Sequence, residues 1–220
     1  MTSNTPGRRK CGHILHTKPE LFVLVRYTPR PGARDDVVVA CSNLGPIKTI
    51  DAFLSPLDAW LSASYMLTPG KPYQVMWASS FDPREFVRDH NGNLHVSIHL
   101  GWGARDGKLL TKSNGSLVAY GLPQSSEVAP ADANQIDFVF DDEGTETLDK
   151  VLELCGLGNY QETLHAMRGW TKKHVDQIGA IAVDKMGITE MEGDDGATHL
   201  AVFDPEAEQW HFIALADIKE

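Results

Sequence analysis

The chain has 220 residues, enough for one hydrophobic core or two small ones. Its formal net charge of −10 argues against a nucleic-acid partner, and no apolar run is long enough to cross a bilayer as a helix. The charge is uneven: residues 1–134 carry 14 Lys/Arg against 11 Asp/Glu, whereas residues 135–220 carry 6 against 19.

Residues 1–18 are polar and basic and read as a flexible lead-in, with no apolar stretch of signal-peptide length behind Arg8-Arg9-Lys10. Leu21–Tyr27 and Asp36–Ser42 are β-rich and separated by Pro29, Arg30, Pro31 and Gly32, which suits a looped hairpin. Ser55 and Pro56 fit the cap and first position of a helix over Leu57–Met66, ended by Pro69-Gly70. Tyr73–Ala78 reads as a strand, and Asp82-Pro83-Arg84-Glu85 opens a short helix to about Asp89. Asn91-Gly92 is the strongest turn signal in the chain. Behind it, His95, Ser97 and His99 alternate with Val96, Ile98 and Leu100, so one face of this strand is polar and the other packs inward. Asp106-Gly107 and Asn114-Gly115 bracket short strands at Lys108–Lys112 and Ser116–Tyr120.

Gly121–Asn134 is rich in Pro, Ser and Ala and reads as a loop or linker. A strand over Ile136–Phe140 follows, then a helix to about Cys155 with Leu148, Val151, Leu152 and Cys155 on one face. Helical periodicity resumes from Asn159 or Thr163, breaks near Gly169 and restarts at Thr171, with Val175, Ile178 and Ala182 in one stripe. Thr198–Asp204 and Gln209–Leu215 form a closing hairpin. Clustered strands and turns predict an α+β fold: a mainly antiparallel or mixed sheet with helices packed on one side. Residues 19–220 read as a single globular domain, with a split into two subdomains near 121–134 left open.

His95-Val96-Ser97-Ile98 resembles one half of the signature of the two-histidine phosphoesterases. In that family two such strands aim two imidazoles and two hydroxyls at a phosphate, one His acting as base and the other as acid. The nearest second copy is His199-Leu200-Ala201-Val202, where Ala201 stands in place of the hydroxyl. A polar strand face turned to solvent or to a neighbouring strand accounts for the same alternation. His95 and His99 are about 13 Å apart along an extended strand, too far to share one metal ion. Cys11, His13 and His16 make an incomplete ligand set, and Cys41 and Cys155 sit in apolar runs as core thiols. Three scattered Cys without a C-x-x-C pair suit a reducing, cytoplasmic setting. No cofactor or metal motif is present in the sequence.

Trp102 lies between Gly101 and Gly103 and fits either a binding rim or a buried plug at a sheet edge. Acidic residues recur at Asp141, Asp142 and Glu143, at Glu190, Glu192, Asp194 and Asp195, and at Asp204, Glu206 and Glu208. If they converge, they would steer a basic partner and repel nucleic acid. The leading expectation is therefore a non-catalytic cytoplasmic protein acting through protein–protein contact. Its acidic distal surface would meet a basic protein or a second copy of itself. The alternative is a hydrolase or phosphodiesterase using His95, Ser97 and His199.

Overall fold

The computed structural model describes residues 14–29, 36–66, 72–129, 134–191 and 196–219. Its strands are β1 (Leu15–Lys18), β2 (Phe22–Thr28), β3 (Asp36–Val39), β4 (Cys41–Leu44), β5 (Ile47–Phe53), β6 (Gln74–Trp77), β7 (Asn93–Arg105), β8 (Lys108–Thr111), β9 (Ala119–Glu127), β10 (Ile136–Val139), β11 (Gly187–Glu190), β12 (His199–Asp204) and β13 (Gln209–Ala214). The helices are α1 (Pro56–Tyr65), α2 (Arg84–Asp89), α3 (Asp142–Leu154), α4 (Tyr160–Met167), α5 (Lys172–Asp184) and α6 (Leu215–Lys219). Eleven strands form one mixed sheet whose main path runs β11-β8-β7-β5-β2-β3; β1 and β10 pair separately in parallel. This is an α+β fold.

The helix starts follow local chemistry. The Ser55 hydroxyl accepts the Asp58 N–H at 3.0 Å and donates to its carboxylate at 2.6 Å, so Ser55 and Asp58 hold the start of α1 between them. Asp141 caps α3 by accepting the Gly144 N–H at 2.7 Å, and Thr171 caps α5 through the His174 N–H. The apolar stripe of α3 packs inward at Leu148, Val151 and Leu152. At Asn91-Gly92 both residues take positive φ, as a tight turn into β7 requires.

Strand β7 is the axis of the sheet. Its first half pairs in parallel with β5, Ile50 opposite Val96 and Ala52 opposite Ile98, and antiparallel with β9 on its other side. Its second half exchanges β5 for β12, with Leu200 opposite Gly103. An irregularity between His99 and Gly101 inserts one extra residue on β7. Such a bulge reverses which face later residues occupy, so Trp102 falls on the side of His99 rather than opposite it.

Two sequence expectations are corrected here, and one strand is added. Gly121–Asn134 is not simply a linker, because Gly121–Glu127 belongs to β9 and pairs along most of β7. The lead-in ends earlier than residue 18, since Leu15–Lys18 is β1 and pairs with β10. Strand β5 was hidden in the sequence behind Gly45-Pro46. The distal strands β11 and β12 join the proximal sheet through β8 and β7. Arg8-Arg9-Lys10, Cys11, His13 and Pro69-Gly70 lie outside the described residues. No helix among the described residues is long and apolar enough to cross a membrane.

Gly101 sits where β12 closes onto β7. A Cβ there would lie 2.8 Å from the Ala201 carbonyl oxygen and 2.9 Å from Leu200 Cγ. Backbone cannot swing aside as a flexible side chain can, so Gly101→Val should cost about 1–3 kcal/mol. Urea unfolding measures this, and a variant as stable as wild type would mean that β12 is not pressed onto β7.

Candidate functional site

The polar face of the sheet builds a cavity of about 540 Å³. On β5 the core-facing residues are Ile50 and Ala52, so Thr49, Asp51 and Phe53 point the other way. Asp51 stands opposite Ser97 in the parallel β5–β7 pair, and His99 follows two residues later on the same face. Ser42 of β4 is opposite Thr49, and Gly121 of β9 is opposite His99. Gly121 leaves the floor open, because a Cβ there would come within 2.5 Å of Ser97 Oγ. Tyr73 and Tyr120 line the walls, and Lys112, Asn114 and Ser116 enter from the turn between β8 and β9.

His99 is the unusual member. It is 7 % exposed, and neither Nδ1 nor Nε2 has a hydrogen-bond partner. The rings of Trp102 (4.2 Å between centroids) and Phe53 (5.4 Å) flank it. Burial lowers its pKa from 6.5 to about 3, so the imidazole is neutral and offers one donor and one acceptor. Its other neighbour is a void of about 20 Å³, lined also by Asp58 and Tyr160. Burial pushes the Asp58 carboxyl up from 3.8 to about 6 despite the Ser55 hydrogen bond and the nearby Trp102 indole N–H, which lies outside hydrogen-bond geometry. Asp51 accepts the Ser42 hydroxyl at 2.6 Å, and Ser42 also contacts Thr49 Oγ1 at 3.1 Å. Burial raises the Asp51 pKa; the Ser42 hydrogen bond and the Lys112 charge oppose that rise.

The bare imidazole of His99 makes no hydrogen bond to Ser97. The Ser42 proton points at Asp51, and burial pushes the Cys41 thiol up to about 11, far from a thiolate at neutral pH.

The sequence-predicted residues scatter. Ser97 lines the cavity. His95 faces the neighbouring strand, its Nδ1 2.7 Å from Ser125 Oγ. His199 pairs with Ala104, nine residues farther along β7 and roughly 30 Å of strand away from His95. The structure therefore does not bring His199 to His95 and Ser97. Its ring contacts Thr198 Oγ1 at 2.9 Å instead. Trp102 is 1 % exposed, which corrects the binding-rim expectation: it is a core plug.

Among the acids, Asp141 is occupied as a cap, whereas Asp142 and Glu143 stand exposed in the first turn of α3. Glu190 is exposed on β11; Glu192, Asp194 and Asp195 lie outside the described residues. Asp204 accepts the Glu206 and Ala207 N–H groups, Glu206 accepts the Thr163 hydroxyl, and Glu208 pairs with Lys185. No group of three or more potential metal ligands occurs among the described residues. Asp51, Ser42 and Lys112 were missed because they come from separate elements. The Thr49/Asp51 against Ile50/Ala52 alternation was the available signal. Comparison with protein families, curated proteins and solved structures finds no match.

His99 and Asp58, both beside the small void, act on stability in opposite senses. His99 stays neutral in the fold down to about pH 3, whereas an unfolded imidazole takes a proton below about 6.5. Its contribution is complete above pH 6.5 and is lost as pH falls toward 3. Asp58 keeps its proton in the fold up to about 6, whereas an unfolded carboxyl releases it near 3.8. That contribution is complete below 3.8 and is lost as pH rises through 6. Urea midpoints between pH 4 and 6 should therefore rise more steeply with pH in Asp58→Asn than in wild type. In His99→Phe they should fall with pH relative to wild type. Parallel profiles in all three proteins would contradict both assignments.

Proposed function

We propose that this protein binds a small polar molecule in the cavity between β4, β5, β7 and β9. The observation that carries the reading is His99, buried with both ring nitrogens bare at the wall of a polar cavity. An unpartnered buried polar group costs roughly 1–3 kcal/mol, so it disfavours the fold unless something else uses it. Both nitrogens are closed to water, so a bound molecule that draws the ring toward the cavity and hydrogen-bonds to it would recover that cost. The size of the cavity suits such a ligand, and the free thiols of Cys41 and Cys155 suit a reducing cytoplasmic compartment.

The test separates stability from binding. His99→Phe should fold with stability equal to wild type or up to about 2 kcal/mol greater, because it removes two unsatisfied nitrogens. It should also lose the thermal shift that wild type gives with its ligand in a panel of sugars, nucleosides, carboxylic acids and amino acids at millimolar concentration. A wild type that responds to no compound, or a His99→Phe protein that responds equally, would overturn the reading.

The contact reading keeps one specific support. Asp142, Glu143 and Glu190 are exposed, and β11 ends the main path of the sheet with exposed Ile188 beside Glu190. An edge strand can add a strand from a basic partner or from a second copy. Capture by such a partner should weaken as salt rises and fall further when Asp142, Glu143 and Glu190 are changed to their amides. Salt-indifferent capture would remove the acidic surface from consideration.

A further inference from the structure

The charges in the cavity narrow the class of ligand. Among the described lining residues Asp51 is the one carboxylate and Lys112 the one Lys or Arg. They occupy different depths: Asp51 lies partly buried on the β5 floor, and Lys112 is exposed on the turn after β8. Asp51 receives the Ser42 hydroxyl, and among the described residues no cation reaches ion-pair distance of it. A carboxylate has about four acceptor positions, so most of its capacity toward the cavity is unused. Taking it out of water without a counter-charge is costly, as its raised pKa records.

We propose that the cavity takes a small zwitterion of the amino-acid type, its ammonium on Asp51 at the floor and its carboxylate on Lys112 at the mouth. This rests on the cavity being the binding site. An ammonium carries three donors. Asp51 takes one and the Ser97 hydroxyl, opposite it on β7, another; the acceptor nitrogen of neutral His99 takes the third once the ring, closed to water at both nitrogens, is drawn toward the cavity. Phe53, Tyr73 and Tyr120 supply aromatic surface for a cation. At the mouth the Asn114 carbonyl oxygen is taken by the Ser116 N–H and hydroxyl, which leaves the Asn114 amide N–H₂ as a donor beside Lys112. A neutral polyol would leave the charge of Asp51 uncompensated, and a simple anion would meet it head-on.

Isothermal titration of the intact chain with each standard L-amino acid tests this, with the N-acetyl and methyl-ester derivatives of whichever binds. Blocking either end should weaken binding roughly ten-fold or more. Asp51→Asn and Lys112→Met should each do the same to the free amino acid, while circular dichroism reports whether they fold. The proposal is overturned if no free amino acid binds, or if the acetylated or esterified form binds as tightly. A sugar or carboxylic acid that binds wild type and is lost in His99→Phe would overturn the zwitterion and keep the cavity. Silence across the whole panel would remove both.

Discussion

The bulge between His99 and Gly101 is the constraint from which the rest of the molecule follows. Thirteen residues of β7 must serve two different sets of neighbours, β5 on its first half and β12 on its second. One extra residue lets the strand bend and changes the phase of its side chains between the two halves. Before the bend, Leu94, Val96 and Ile98 are core while Ser97 and His99 line the cavity. After it, Trp102 comes to the side of His99 and packs its ring against the imidazole. The glycine at 101 then permits the close approach of β12, so the distal part of the chain is anchored at the same point.

That geometry creates a tension. Trp102 and Phe53 give His99 a hydrophobic wall without giving it a hydrogen bond. Across a small void lies Asp58, a carboxyl that also resists ionisation because water has been removed from it. Asp51 shares the condition on the other side of the imidazole. Three titratable groups are therefore held in or toward their neutral forms around one point of β7. Raised and lowered pKa values gathered at a cavity are a common mark of binding and catalytic sites, and they accompany ion-pair networks as well. Here the described residues contain no ion pair to Asp51, Asp58 or His99.

The acidic half of the sequence has a more local explanation than its composition suggests. Asp141 and Asp204 complete backbone turns, Glu206 and Glu208 hold Thr163 and Lys185, and Asp176 bonds Trp60 and Lys172. Each of these carboxylates stabilises a nearby donor, and of the acids the sequence singled out, Asp142, Glu143 and Glu190 are the described ones left exposed without such a donor.

What the sequence by itself determined is whatever depends on near neighbours in the chain. Ser55, Asp141 and Thr171 announce their helices because a cap acts over three residues. Asn91-Gly92 announces its turn because positive φ is a local demand. The alternation of His95, Ser97 and His99 announces a strand with a polar face because side chains alternate residue by residue. Which of the three residues mattered was not legible: His95 finds Ser125 thirty residues away, and His99 finds nothing. The exposure of Trp102 depended on a bulge between His99 and Gly101 whose phase only the pairing with β9 fixes. Asp51, Ser42 and Lys112 become neighbours only through β-pairing between separate strands, and His199 is kept from His95 by the register of β12. Register is set by which faces bury together across the whole sheet. The cavity, its charges and its bare imidazole are therefore decisions of the tertiary structure alone.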